Sequence, residues 1–139
     1  LRSLVGSEMC IRDRFVLDVG LLGAMSDLDA MSILEGNDIF VEFKGALTEQ
    51  YVLQQIISDT KYTPYYYGTE KATFEQDFMI QMGKDVVPIE VKAETNLKSQ
   101  SLKCYCEKYH PQKAIRFSAK KYIDQGWMKN VPLYAVCTL

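Results

Sequence analysis

The chain has 139 residues, enough for one domain or for one domain with a remnant of another, and its 47% apolar content supports a packed core. With Lys+Arg 16 and Asp+Glu 18 the formal net charge is −2, which excludes the basic balance of a whole-domain nucleic-acid binder. The cysteines Cys10, Cys104, Cys106 and Cys137 do not suggest a secreted disulfide framework, and neither a transmembrane-length apolar run nor a signal-like start is present, so the cytoplasm is the expected compartment.

Leu1 stands where a Met would begin a complete chain, which predicts a fragment. Leu1 to Arg14 (LRSLVGSEMCIRDR) resembles the peptide produced when sequencing-adapter DNA is translated in frame with coding sequence. It shows no sustained period and is expected to lie outside the packed core, with Cys10. Phe15 to Val19 reads as the end of a strand, and Gly20 to Met31 as a short helix with Leu21, Leu22, Met25 and Leu28 apolar. Gly36-Asn37-Asp38 is a turn signal, and Ile39 to Lys44 leads into the next helix.

Gly45 to Ser58 is the strongest helical segment. At 100° per residue, Val52, Leu53, Ile56 and Ile57 share one face, while Gln50, Gln54 and Gln55 lie away from its centre. Glu49 falls in the middle of that apolar face, where a carboxylate needs a cation, a proton or a donor. Three strands follow: Pro64 to Thr69, Phe74 to Met82, and Asp85 to Ala93. Gly83-Lys84 predicts an antiparallel hairpin between the last two, and Pro88 predicts an edge or a bulge because it has no backbone donor. Thr95 or Asn96 can cap a helix that runs to about Tyr109, with Leu102, Tyr105, Cys106 and Tyr109 on its apolar face. Strands are then expected at Lys113 to Ser118 and Pro132 to Thr138, with a turn at Gly126 between them.

Period-two alternation turns Val87, Ile89 and Val91 to one face of the third strand and Pro88, Glu90 and Lys92 to the other. Glu90 and Lys92 are then about 7 Å apart along the strand. The hairpin sets Asp77 beside Glu90, and the helix carrying Glu49 is expected to cover that face. Carboxylates without sulfur or imidazole partners suit a hard cation such as Mg²⁺ or Mn²⁺, which polarises a phosphoryl oxygen and acidifies a bound water. Lysine beside them can hold the attacking water or stabilise the pentacovalent phosphate.

Asp77, then Glu90-Val91-Lys92 at the end of an apolar strand, with Glu49 on the preceding helix, resembles the PD-(D/E)XK nuclease signature. The resemblance implies an α/β fold with a restriction-endonuclease-like core, a mixed central sheet flanked by helices in the order αβββαβ. It implies Asp77 and Glu90 as metal ligands, Lys92 as the catalytic lysine, Glu49 as the helical acid, and Lys98 or Ser99 as a further polar residue. The runs FVLDVGLL, EFKGALTEQYVLQQI, YYYGTEKATFEQDFMIQ, VVPIEVKAETNLKSQSLKCYCEKYHP and AIRFS resemble the C-terminal domain, of unknown function, of prokaryotic AAA-type ATPases. That resemblance implies an upstream P-loop ATPase domain, since this chain carries no Gly-x-x-x-x-Gly-Lys-Ser/Thr loop. It also makes residues 15–44 the remnant of a linker or winged-helix region and 45–139 the nuclease-like domain.

Two functions follow from the same residues: a metal-dependent DNA-cleaving domain, or a catalytically inactive DNA-binding or regulatory module of the ATPase. A structural domain with merely superficial acids is the bland alternative. Lys92, Lys98, Lys103, Lys108, Lys113, Arg116, Lys120, Lys121 and Lys129 crowd the C-terminal part and read first as solvated faces. Cys106 and His110 are one helical turn apart, but with no Cys-x-x-Cys pair they suit packing better than zinc. Tyr62 and Tyr65-Tyr66-Tyr67 are expected to divide between core and surface, and Trp127 to anchor core or rim.

Overall fold

The computed structural model describes residues 15–26, 38–68, 75–93 and 99–139, the side chains of 38–43 and 68 excepted. Outside these lie the adapter-like segment Leu1–Arg14 with Cys10, Leu28 and Met31, the Gly36-Asn37 turn, Thr69, Phe74, the candidate caps Thr95 and Asn96, and Lys98. The elements run α1 (Val19–Met25), α2 (Asp38–Asp59), β1 (Tyr65–Gly68), β2 (Glu75–Met82), β3 (Asp85–Lys92), α3 (Gln100–Tyr109), β4 (Ile115–Ser118), β5 (Ile123–Asp124) and β6 (Lys129–Pro132), then a 3₁₀ helix at Leu133–Thr138. They form a mixed α/β structure on one six-stranded sheet of order β1-β2-β3-β4-β6-β5. The pairs β1–β2, β2–β3 and β5–β6 are antiparallel, and β3–β4 and β4–β6 are parallel. From α2 to β4 this is the expected order of helix, three strands, helix and strand.

The β2–β3 hairpin is closed by Gly83-Lys84, with Met82 opposite Asp85 and Gly83 at φ +64°. A glycine with positive φ at the first central position is what a type II′ hairpin turn requires. The register then sets Phe78 against Ile89 and Ile80 against Val87, so both strands turn the same apolar face to α2. Val52 and Ile56 of α2, both fully buried, fill that face together with Val91, Ile115, Phe117 and Val136. The opposite face belongs to α3, whose Leu102 is fully buried and packs with Ala114 and Met128. Among the described residues, no helix is long and apolar enough to cross a membrane.

Several local expectations are corrected. Phe15–Val19 is not a strand: it is irregular until α1 starts at Val19, where the Asp18 carboxylate caps the Leu21 N–H at 3.0 Å. Pro132–Thr138 is not the last strand either; pairing with β4 ends at Pro132 and the chain winds into the 3₁₀ helix, burying Val136. Pro88 lies in a central strand and not at a sheet edge. It is tolerated because the Val91 N–H points toward β2, so alternation turns the Pro88 nitrogen toward β4, whose pairing with β3 begins one residue later at Ile89. Ile57 is 63% exposed, so the buried stripe of α2 is centred on Val52 and Ile56.

Helix α2 also begins earlier than the 3.6-residue pattern indicated, at Asp38, and passes through Gly45 without a break. Gln50 was placed away from the apolar stripe, yet it is only 1% exposed. Its Oε1 accepts from the Val16 N–H at 2.9 Å and its Nε2 donates to the Val16 carbonyl at 2.7 Å. Gln54 likewise accepts from the Val19 N–H and donates to Asp18. Two amides on successive turns of α2 thus clamp the irregular backbone of residues 16–18 and the start of α1, satisfying peptide groups that no sheet pairs. Phe15 completes the contact, with its ring 5.7 Å from that of Phe78.

The face assignment of α2 is directly testable. Ile56→Ala should lower the free energy of unfolding by about 2–5 kcal/mol, and Ile57→Ala by well under about 1 kcal/mol, in urea denaturation. Equal losses at the two positions would contradict this packing.

Candidate functional site

Glu90, the first residue of the expected Glu-x-Lys motif, is 4% exposed in the central strand β3. An unmatched carboxylate at that depth is costly, so its donors define the site. Its Oε1 pairs with the Lys92 Nζ at 2.7 Å, two residues along the same face. Its Oε2 accepts from the Leu102 N–H at 3.1 Å. Leu102 lies in the first turn of α3, among the backbone donors that have no partner within a helix. Glu90 therefore does for α3 what a capping side chain would do, and the helix N-terminus favours its negative charge.

Ser99, at the N-cap of α3, makes no capping bond. Its hydroxyl accepts instead from Arg116 Nη1 at 3.2 Å. Arg116 stands beside Glu90 in the parallel β3–β4 register, is 2% exposed, and donates from Nε to Asn130 Oδ1 at 2.9 Å. Ser118 Oγ donates to the same oxygen at 2.8 Å, and Asn130 Nδ2 donates to the Lys121 carbonyl at 2.9 Å. A row of buried polar groups thus crosses three strands under α3: Glu90, Arg116 and Asn130. Arg116 belongs to this row and not to a solvated basic face, as the crowding of C-terminal lysines had suggested.

Asp77 lies one residue beyond the last β2–β3 pair, Phe78 with Ile89. There its Oδ2 accepts from the Val91 N–H at 2.6 Å. Asp77 thereby meets the Glu90-Val91-Lys92 segment at its middle residue. Burial, the neighbouring negative charge of Glu49, and that of Glu90 push its carboxyl up to about 7, against the Val91 bond and the Lys92 charge, which act downward. For Lys92, burial acts to lower the pKa, but the bond to Glu90 and the charges of Glu90, Asp77 and Glu49 outweigh it and hold the ammonium above its ordinary value. Lys92 is therefore a cation and hydrogen-bond donor at neutral pH, not a base.

The structure brings Asp77, Glu90 and Lys92 together directly, and Glu49 acts on Asp77 and Lys92 through its charge. Glu49 does so from α2, which packs the opposite face of the sheet from Glu90; the expectation that this helix covers the Glu90 face is corrected, because Val52 and Ile56 hold it to the apolar side. Of the two candidates for a further polar residue, Ser99 is turned to Arg116 and Lys98 lies outside the described residues. Reading the sequence missed Arg116, Asn130 and Ser118. The signal was present in part, since Arg116 and Ser118 alternate with Ile115 and Phe117, but only the parallel register places them next to Glu90 and Lys92. Cys106 packs against Leu102, Ala114 and Met128, and burial pushes its thiol up to about 11, so it offers no thiolate.

The titration of Asp77 has a consequence for stability. Between its ordinary value of 3.8 and about 7 the folded chain holds a proton that the unfolded chain releases, so stability falls as pH rises through this window and stays reduced above it. Asp77→Asn keeps an acceptor for Val91 and removes the ionisation. Near pH 4 its urea midpoint should match that of the parent. Above pH 7 it should be more stable, by at most about 4 kcal/mol before allowance for solvent at the half-buried side chain. Parallel pH profiles for the two proteins would contradict the raised Asp77.

No curated protein and no solved structure matches the chain. Residues 44–137, which hold α2 from its second turn onward and all of the sheet, match a family described as Domain of unknown function (DUF4143). On that match, which covers most of its length, the chain belongs to this family.

Proposed function

We propose that this chain is a PD-(D/E)XK nuclease-like domain, carried C-terminal to an AAA-type ATPase domain, that cleaves DNA phosphodiesters with a divalent metal. One observation carries the reading: the Glu90–Lys92 pair at 2.7 Å and the Asp77 carboxylate at 2.6 Å from the intervening Val91 N–H converge on one point of β3. A second supports it. Burial first, and then the charges of Glu49 and Glu90, lift Asp77 to about 7, and a bound dication would offset that cost of ionisation.

The donor set fits a hard cation. Asp77 and Glu90 supply carboxylate oxygens, and Val91, between Glu90 and Lys92, supplies a carbonyl. Two carboxylates and a carbonyl, without sulfur or imidazole, suit Mg²⁺ or Mn²⁺, which needs one or two carboxylates and completes its shell with water. When bound, such an ion polarises a phosphoryl oxygen and acidifies a water. The protein's own part is positional. Glu90 orients the Lys92 ammonium, Lys92 presents its charge to a phosphate oxygen, and burial together with the charge of Glu49 keeps Asp77 poised to lose its proton near neutrality.

A second reading, an inactive DNA-binding or regulatory module, has one observation in its favour. Both Glu90 oxygens are already engaged, by Lys92 and by Leu102, in a set that is self-sufficient without metal. Nicking of supercoiled plasmid with Mn²⁺ or Mg²⁺ separates the two. At sub-saturating metal, where Asp77 must lose its proton to take the ion, cleavage should rise about tenfold per pH unit below 7 and level off above it, and more Mn²⁺ should move that midpoint down. Asp77→Ala and Lys92→Ala should abolish it while far-ultraviolet circular dichroism stays unchanged. Metal binding without nicking at any pH would select the inactive module, and no calorimetric heat at millimolar Mn²⁺ would remove the metal from the account.

A further inference from the structure

At the other end of the sheet, where β2 finishes and β4 and β6 begin, a cavity of about 530 Å³ opens. Met82, which lines it, is five residues along β2 from Asp77, or about 17 Å. Its volume lies within the range of about 300–1,000 Å³ usual for small-molecule sites. The lining residues combine apolar, aromatic and cationic types: Met82 and the buried Met128, Tyr62 and Trp127, and Lys113 and Lys129. Among the described residues, no aspartate or glutamate side chain lines it, and Leu139, the last residue, stands at its edge.

Trp127 is held in place, not loosely exposed. Asp124 Oδ1 accepts from the Gly126 N–H at 2.9 Å, the Gln125 N–H donates to the Met128 carbonyl at 3.0 Å, and Gly126 takes a φ of +79° that suits glycine. Met128 is 2% exposed and anchors the far side of this turn, while the Trp127 indole remains 42% exposed at the cavity rim. A large aromatic on a pinned turn, left half in water beside two cations, is arranged for a flat anionic ligand. Lys129 also reaches Asp124 at 3.7 Å, an exposed and weak pair that a phosphate can replace. Lys61 adds positive charge nearby, with its Nζ 5.6 Å from the Tyr62 ring centroid.

We propose that this cavity is a nucleotide site: a nucleobase stacks on Trp127 and Tyr62, and the attached phosphate pairs with Lys113 and Lys129. The site is separate from the acidic cluster, so its failure and the failure of the nuclease reading are independent. Trp127 is the chain's one tryptophan, and its emission reports the cavity directly. Titration of the full chain with dAMP should quench that emission saturably. In Lys113→Gln/Lys129→Gln the affinity should fall by at least about tenfold, with the melting curve unchanged. Calorimetry on Trp127→Ala should show the same loss. An oligonucleotide bearing a 5′ phosphate that binds more tightly than dAMP would identify a strand terminus as the source of the nucleotide, and equal affinity a free nucleotide. Absence of a saturable change with dAMP at millimolar concentration would overturn the proposal. So would deoxyadenosine or inorganic phosphate alone matching dAMP, since one half of the ligand would then suffice.

Discussion

A carboxylate buried in the middle of a sheet has to be met by donors, and much of this structure is arranged around how Glu90 is met. At 4% exposure Glu90 would be costly alone, by several kcal/mol. One oxygen takes the Lys92 ammonium and the other the Leu102 N–H. The second bond places the first turn of α3 over β3. It also releases Ser99 from capping, and the Ser99 hydroxyl then meets Arg116, which is tied through Asn130 to β6. The position of a helix and the polar row across three strands are thus both linked to one side chain.

The parts of this arrangement written in local periodicity were legible in advance. Alternation in DVVPIEVK separates Val87, Ile89 and Val91 from Glu90 and Lys92, and the Glu90–Lys92 pair bears that out. The Gly83-Lys84 turn fixes the hairpin, and the hairpin brings Asp77 to the motif. What was not legible depends on partners distant in sequence. The neighbour of Glu90 across the parallel pair is set by the α3 crossover, which no local pattern encodes, so Arg116 read as one more surface cation. Gln50 is buried because the Val16 peptide needs its amide, and periodicity alone makes it polar and outward. PLYAVCT has the composition of a strand, but pairing stops at Pro132 and the chain turns back to bury Val136.

The cluster also shows a tension between stability and use. Burial, and after it the charges of Glu49 and Glu90, make ionisation of Asp77 costly, and the fold accommodates this by keeping Asp77 protonated up to about pH 7. A purely structural cluster gains nothing from that arrangement, whereas a site that receives a cation does, because the cation takes the place of the proton. The same reasoning explains why Lys92 holds its proton firmly: three carboxylates surround it electrostatically, so it serves as a fixed charge.

The nuclease proposal requires that Asp77 and Glu90 share a divalent cation. Anomalous diffraction from crystals of the chain soaked in Mn²⁺ tests it most directly. One strong peak is expected within about 2.0–2.4 Å of a carboxylate oxygen from each of Asp77 and Glu90, with Lys92 still beside Glu90. No peak there at millimolar Mn²⁺, with Glu90 still closed onto Lys92 and Leu102, would contradict it.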